Sequence, residues 1–234
     1  MNRKHIILWG FLGLLAVPAA MATPIKFNGV QGGLNVNIST PDGTYTTTAG
    51  VFKLQIGNPG SEFKTFCIDL YDNASTSYQN YTAGSLAAAP LVGGATPDQP
   101  MGPAAALAVS KLWAMNYSAA LGDATKGQAL QIAIWEVVTE TKLGNSYDLT
   151  AGSFILNTTA SGARTAANAM LTSLANYDEN THGPLPDLFA WTSAEGNNQF
   201  QDYIGVPDGG ATLALLGLAM GVLSVASRRK RDRR

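Results

Sequence analysis

The chain has 234 residues, long enough for one well-cored domain. Its one cysteine, Cys67, excludes an internal disulfide. From Thr23 to Pro207 seven Lys and Arg stand against fourteen Asp and Glu, a net charge of −7 with no basic stripe, which argues against nucleic-acid binding.

Residues 1–22 have the layout of a secretory signal peptide. Arg3, Lys4 and His5 form the short charged region, Ile6 to Ala16 the apolar stretch, and Ala20-Met21-Ala22 a small-x-small cleavage site. The expected mature chain starts at Thr23 and uses Sec-type export machinery and signal peptidase; the alternative is an uncleaved signal anchor.

From Thr23 to about Tyr71 the pattern is β. Val36 and Ile38, then Tyr45, then the alternation Val51-Phe52-Lys53-Leu54-Gln55-Ile56 predict strands. Gln31-Gly32-Gly33, Pro41-Asp42-Gly43 and Gly57-Asn58-Pro59-Gly60 predict the turns between them. A further strand is expected from about Phe63 to Tyr71. It would put Phe66, Ile68 and Leu70 on one face and Thr65, Cys67, Asp69 and Tyr71 on the other, away from the main β core and towards a second layer. Residues 72–103 predict a loop-rich connection.

The period then changes. Helices are expected over Ala104–Asn116, Thr125 to about Thr141 and, more weakly, Ala163–Tyr177, with Asp123 or Thr125 as N-cap of the second. Gln199–Ile204 is a candidate last strand. A strand-rich half followed by helices predicts an α+β fold, sandwich or barrel-like in its β half.

The C-terminal residues 206–234 fall into three parts. Val206, Pro207, Asp208, Gly209 and Gly210 form a turn-prone motif; Ala211 to Ser227 is apolar and uncharged; Arg228, Arg229, Lys230, Arg231, Arg233 and Arg234 make a basic cluster. The apolar stretch lies at the lower edge of a membrane span, and the positive-inside bias would keep the cluster cytoplasmic. This order resembles the PEP-CTERM sorting signals of Gram-negative bacteria, in a variant opening Val-Pro-Asp. The resemblance implies anchoring in the inner membrane and processing by an exosortase-type protease, then release to the cell surface or beyond. An ordinary C-terminal anchor is the alternative.

Gln131 is unusual in its setting. With Ile134, Trp135 and Val138 it falls at i, i+3, i+4 and i+7 of the second helix, a single stripe that is otherwise apolar. Burying a primary amide without partners costs roughly 2–7 kcal/mol. Hydrogen bonds to a neighbouring backbone would offset that cost. Condensation with the Cys67 thiol, with loss of ammonia, would remove the amide altogether. Phe66-Cys67 together with Gln131-Ile132-Ala133-Ile134-Trp135 resembles the two halves of the thioester domains of bacterial surface adhesins. The resemblance implies an internal Cys67–Gln131 thioester that acylates an amine or hydroxyl of a partner once, with Phe66, Ile134 and Trp135 shaping the site. Trp135 reads equally as plain core.

Other chemistry has less support. His182 is the only histidine of the mature region, and a Cys67–His182 dyad would suggest acyl-transfer catalysis, but Thr181-His182-Gly183-Pro184 reads as a solvated loop. No ligand spacing supports a metal and no phosphate-cradling loop occurs, so no cofactor is expected. Glu136 and Glu140, at i and i+4, read as a solvated acidic face. The expected function is single-use covalent attachment by an exported surface or matrix protein, not turnover. The alternatives are a non-covalent structural or biofilm-associated protein with the same tail, and a cysteine-dependent enzyme.

Overall fold

The computed structural model describes residues 22–57, 60–90, 99–140, 147–158, 162–193 and 200–207. Its architecture is α+β. Two long strands, β1 (Thr23–Thr40) and β2 (Gly43–Gly57), form a hairpin through Pro41-Asp42 with Thr40 opposite Gly43. Strands β3 (Gly60–Thr65), β4 (Gln79–Ser85), β6 (Phe189–Ser193) and β7 (Tyr203–Gly205) extend it in the order β3-β2-β1-β4-β6-β7, and the short β5 (Ile155–Leu156) pairs with the far end of β1.

The sheet curls until its ends meet. Beyond β3 the chain stays extended, and Cys67 stands opposite Tyr203 of β7 in an antiparallel bridge. Ile204 N donates to Phe66 O (3.1 Å), Ile68 N to Asp202 O (3.0 Å) and Thr65 Oγ1 to Ile204 O (2.5 Å). The result is a nearly closed barrel whose seam is the Phe66–Ile68 segment against β7.

Strand alternation splits the core in two. A small inner cluster contains Ile25, Phe52, Leu54, Cys67, Tyr81 and Tyr203. A larger one lies under the helices and includes Val36, Ile38, Val51, Phe66 and Ile68 from the sheet. Phe66 fixes the helical layer to the seam through edge-on contacts with Trp113 (5.9 Å) and Tyr117 (6.3 Å).

The helices are α1 (Gly102–Gly122), α2 (Ala124–Thr139), α3 (Gly162–Ser173) and the single turn α4 (Glu179–His182). Asp123 alone joins α1 to α2, and its carboxylate accepts from Lys126 N (3.1 Å), so of the two N-cap candidates in the sequence, Asp123 and Thr125, it is Asp123 that caps the helix. Helix α2 is the centre of the layer, packed on β1 and β2 and against α1 and α3. Every residue from Ala129 to Val137 is buried.

Several elements differ from expectation. Gln31-Gly32-Gly33 is not a turn but a bulge inside β1, where the register with β2 shifts between Gln31 and Leu34. Gly32 (φ +61°) sits under the α1–α2 corner, and a Cβ there would stand 2.8 Å from Ala124 Cβ. Gln128 Nε2 to Gly32 O (2.7 Å) and Gln31 Nε2 to Leu121 O (3.1 Å) tie the corner to the bulge. The region read as loop contains β4, and α1 runs past Asn116 to Gly122. Among the described residues no helix is long and apolar enough to cross a membrane. The signal sequence before Ala22 and the apolar and basic parts of the tail lie outside the described residues.

Candidate functional site

The β2–β3 ladder ends at Phe52 opposite Thr65, and the two strands then part. Because Phe66 and Ile68 spend their backbone groups on β7, Cys67 N–H and C=O point the other way, into the gap. Helix α2 fills that gap. Gly127 lets it approach β2 closely, since a Cβ there would lie 2.9 Å from Val51 Cγ2 and 3.2 Å from Ala120 O. One turn on, the Gln131 side chain enters between the strands. Its Oε1 accepts from Cys67 N (3.0 Å) and its Nε2 donates to Cys67 O (2.8 Å). Two residues 64 positions apart are thus joined by a matched pair of hydrogen bonds in a site where both are fully buried.

The thiol itself belongs to the inner barrel cluster, with the indole N–H of Trp135 from α2 beside it. The expectation that the Cys67 face leads to the second layer is therefore corrected: the alternation was right, but the curled sheet makes that face an interior, and α2 reaches Cys67 through the gap in the ladder. Cys67 Sγ donates to Asp69 O (2.7 Å) and accepts from Asp69 N (3.3 Å). Burial pushes the thiol well above its usual value of 9.0, the Asp69 charge adds to this, and the Asp69 backbone bond and the Trp135 indole N–H act in the opposite sense. Burial and the Asp69 charge together favour a protonated over an ionised sulfur.

Around it stand Tyr81, Tyr203, Asp69 and Asp202, all buried. Tyr81 Oη donates to Gln201 O (3.1 Å), Asp69 Oδ1 accepts from Tyr71 N (2.9 Å) and Asp72 N (3.1 Å), and Asp202 Oδ1 accepts from Ser193 N (3.0 Å). Burial raises both tyrosine hydroxyls above the usual phenol value. Tyr81, Asp202 and Tyr203 were not singled out from sequence; the candidate strand over Gln199–Ile204 was the one signal pointing to two of them.

The remaining site residues sort clearly. Phe66, Ile134 and Trp135 are buried in the layer between sheet and helices. His182 does not approach the thiol's partners: its Nδ1 meets Asp178 O (3.0 Å) and its ring stacks on Tyr177. Glu136 is not on a solvated face. It is fully buried, and its Oε1 accepts from Asp148 N (2.7 Å). Val206 is half-buried against the main core and Pro207 is exposed, so the described part of the C-terminal motif follows directly on β7. Asp208, Gly209, Gly210 and the basic cluster lie outside the described residues.

Comparison with known proteins gives one result. The model of the VPDSG-CTERM motif matches residues 205–230, with Gly209 at the place of the motif's serine. No curated protein matches, and no solved structure matches. The likeness to adhesin thioester domains therefore rests on Cys67, Gln131 and their local sequences. The tail match makes this an exported, surface-directed protein with a sorting signal of the PEP-CTERM kind, which implies export machinery and a sorting protease.

Proposed function

We propose that the exported domain carries an internal thioester between Cys67 and Gln131 and uses it once, to attach covalently to an amine or hydroxyl of a surface or matrix partner. The observation that supports this most is the double hydrogen bond between the Gln131 amide and the Cys67 backbone inside a water-excluded site. Free amides resist thiols, so the reaction depends on holding the two groups together.

In the first stage Cys67 Sγ leaves Asp69 and attacks Gln131 Cδ. The Sγ–Cδ bond forms, the Cδ–Nε2 bond breaks, and the thiol proton departs with the nitrogen as ammonia. Negative charge develops on Oε1, which already accepts from Cys67 N–H, a donor placed where an oxyanion needs one. In the second stage a partner amine or hydroxyl attacks the same carbon, sulfur leaves and takes up the proton, and Gln131 keeps the partner. An exosortase-type protease would act on the tail, and the C-terminal apolar stretch would hold the protein in the inner membrane until then.

A second reading draws on the same contact. An intact Gln131 amide satisfies both backbone groups of Cys67, so the pair also serves as a plain structural lock in a non-covalent surface or biofilm protein. The intact mass of the purified protein separates them. A deficit of one ammonia, absent in Cys67→Ala, supports the thioester; a mass equal to that of the sequence leaves the structural lock.

A further inference from the structure

Among the described residues, two buried donors beside Cys67 make no hydrogen bond of regular geometry. Trp135 Nε1 and Tyr203 Oη are both fully enclosed and both without a partner of regular hydrogen-bond geometry. Leaving such a group without a regular bond is costly, and native folds rarely tolerate it without a reason. Their positions are not scattered. Trp135 lies one turn beyond Gln131 on the same stripe of α2, and its N–H already acts on the thiol. Tyr203 stands directly across the seam from Cys67, in a pair of the closely spaced kind, so the two side chains lie together on the inner face. Its hydroxyl neighbours that of Tyr81, which gives its own proton to Gln201 O. One donor thus comes from the helix side and one from the strand side.

We propose that Trp135 and Tyr203 are the donors that receive the Cys67 sulfur as it leaves Gln131. The inference rests on the thioester reading and adds the groups that set how readily the bond opens. When an amine attacks Gln131 Cδ, a C–N bond forms and the Cδ–Sγ bond breaks. Its electron pair goes to sulfur, and the surplus proton of the amine ends there as thiol. Between those events sulfur carries negative charge in a pocket where burial and Asp69 oppose it. Preorganised dipoles aimed at the place where charge develops lower such a barrier without reorganisation. Two donors that make no regular hydrogen bond fill that role, one already beside the sulfur and one across the seam from it.

The test compares the methylamine opening rate of the wild-type protein with those of Tyr203→Phe and Trp135→Phe, following the mass of each over time. Tyr203→Phe removes one oxygen and little volume, so it remains informative if Trp135→Phe fails to fold. Each variant should keep the ammonia deficit and open about tenfold more slowly or worse, in line with the loss of one charge-stabilising donor. The sign separates this from a packing role, since a loosened core would admit the amine and speed opening. Deficits retained with rates equal to or faster than wild type would overturn the inference and leave the thioester standing. A wild-type protein without the deficit would overturn both.

Discussion

The Gln131 side chain stands beside Cys67 as a neighbouring strand would, giving one hydrogen bond to its carbonyl at 2.8 Å and taking one from its N–H at 3.0 Å. A helix thereby completes a sheet at the one place where β2 and β3 separate. The same contact brings the only amide on the buried stripe of α2 against the only cysteine of the chain.

Removing that amide should be expensive where it is intact; a thioester, having shed Nε2, would already have given up the bond to the Cys67 carbonyl. Gln131→Ala leaves the Cys67 N–H and C=O buried and unpaired, each worth roughly 1–3 kcal/mol, beside a cavity. We expect a loss of about 3–5 kcal/mol in chemical denaturation of the purified protein. A loss below about 1 kcal/mol would mean that water or another group takes over the pairing.

Gly127 should matter for a different reason. Gly127→Ala places a methyl 2.9 Å from Val51 Cγ2 and 3.2 Å from Ala120 O. Alanine has the higher helix propensity, by about 1 kcal/mol, so a gain in stability is the outcome if packing were loose. The close approach reverses the sign. Helix α2 must move off β2, at a cost of about 1–3 kcal/mol, and Gln131 moves with it. A melting temperature below that of wild type checks this.

Glu136 gives the protein a pH dependence. Burial, with the charges of Glu140 and Asp148 adding to it, raises its carboxyl from 4.5 to about 8, while the Asp148 N–H works the other way. The folded state then holds a proton that the unfolded state has lost. Stability contributed by this group is full below the unfolded value and declines as pH rises from about 4.5 towards 8. Glu136→Gln should flatten melting temperature over that window and stabilise the protein at its upper end, by an amount on the order of a few kcal/mol. An unchanged slope in the variant would assign the dependence elsewhere.

Single residues are more legible in the sequence than the sheet closure and packing around them. Gln131 stood out because a single amide interrupts an apolar 3.6-residue stripe, and Asp123 stood out as a cap between two helical patterns. The alternation about Cys67 also held, but strand period fixes which residues share a face, not which face becomes the interior. That depends on the sheet closing at Tyr203, a pairing between distant segments that no local pattern carries. Strand β4 carries little sequence signal because Gln79–Ser85 offers one large buried side chain, Tyr81, among small and polar residues. Glu136 departs from its solvated sequence reading because amphipathicity assigns polar residues to solvent, whereas a helix enclosed by β2, α1 and α3 has no solvent face at its middle. The Gly32-Gly33 pair signalled backbone freedom correctly; its use for close approach of the α1–α2 corner, rather than for reversal, is a tertiary matter.

The most direct measurement is the intact mass of the purified wild-type protein before and after methylamine, beside Cys67→Ala. An internal thioester gives a wild-type mass low by one ammonia, a methylamine adduct located on residue 131 with release of a free Cys67 thiol, and neither change in the variant. A wild-type mass equal to that of the mature sequence, unaltered by methylamine, would contradict it and leave Gln131 as a structural clamp on the barrel seam.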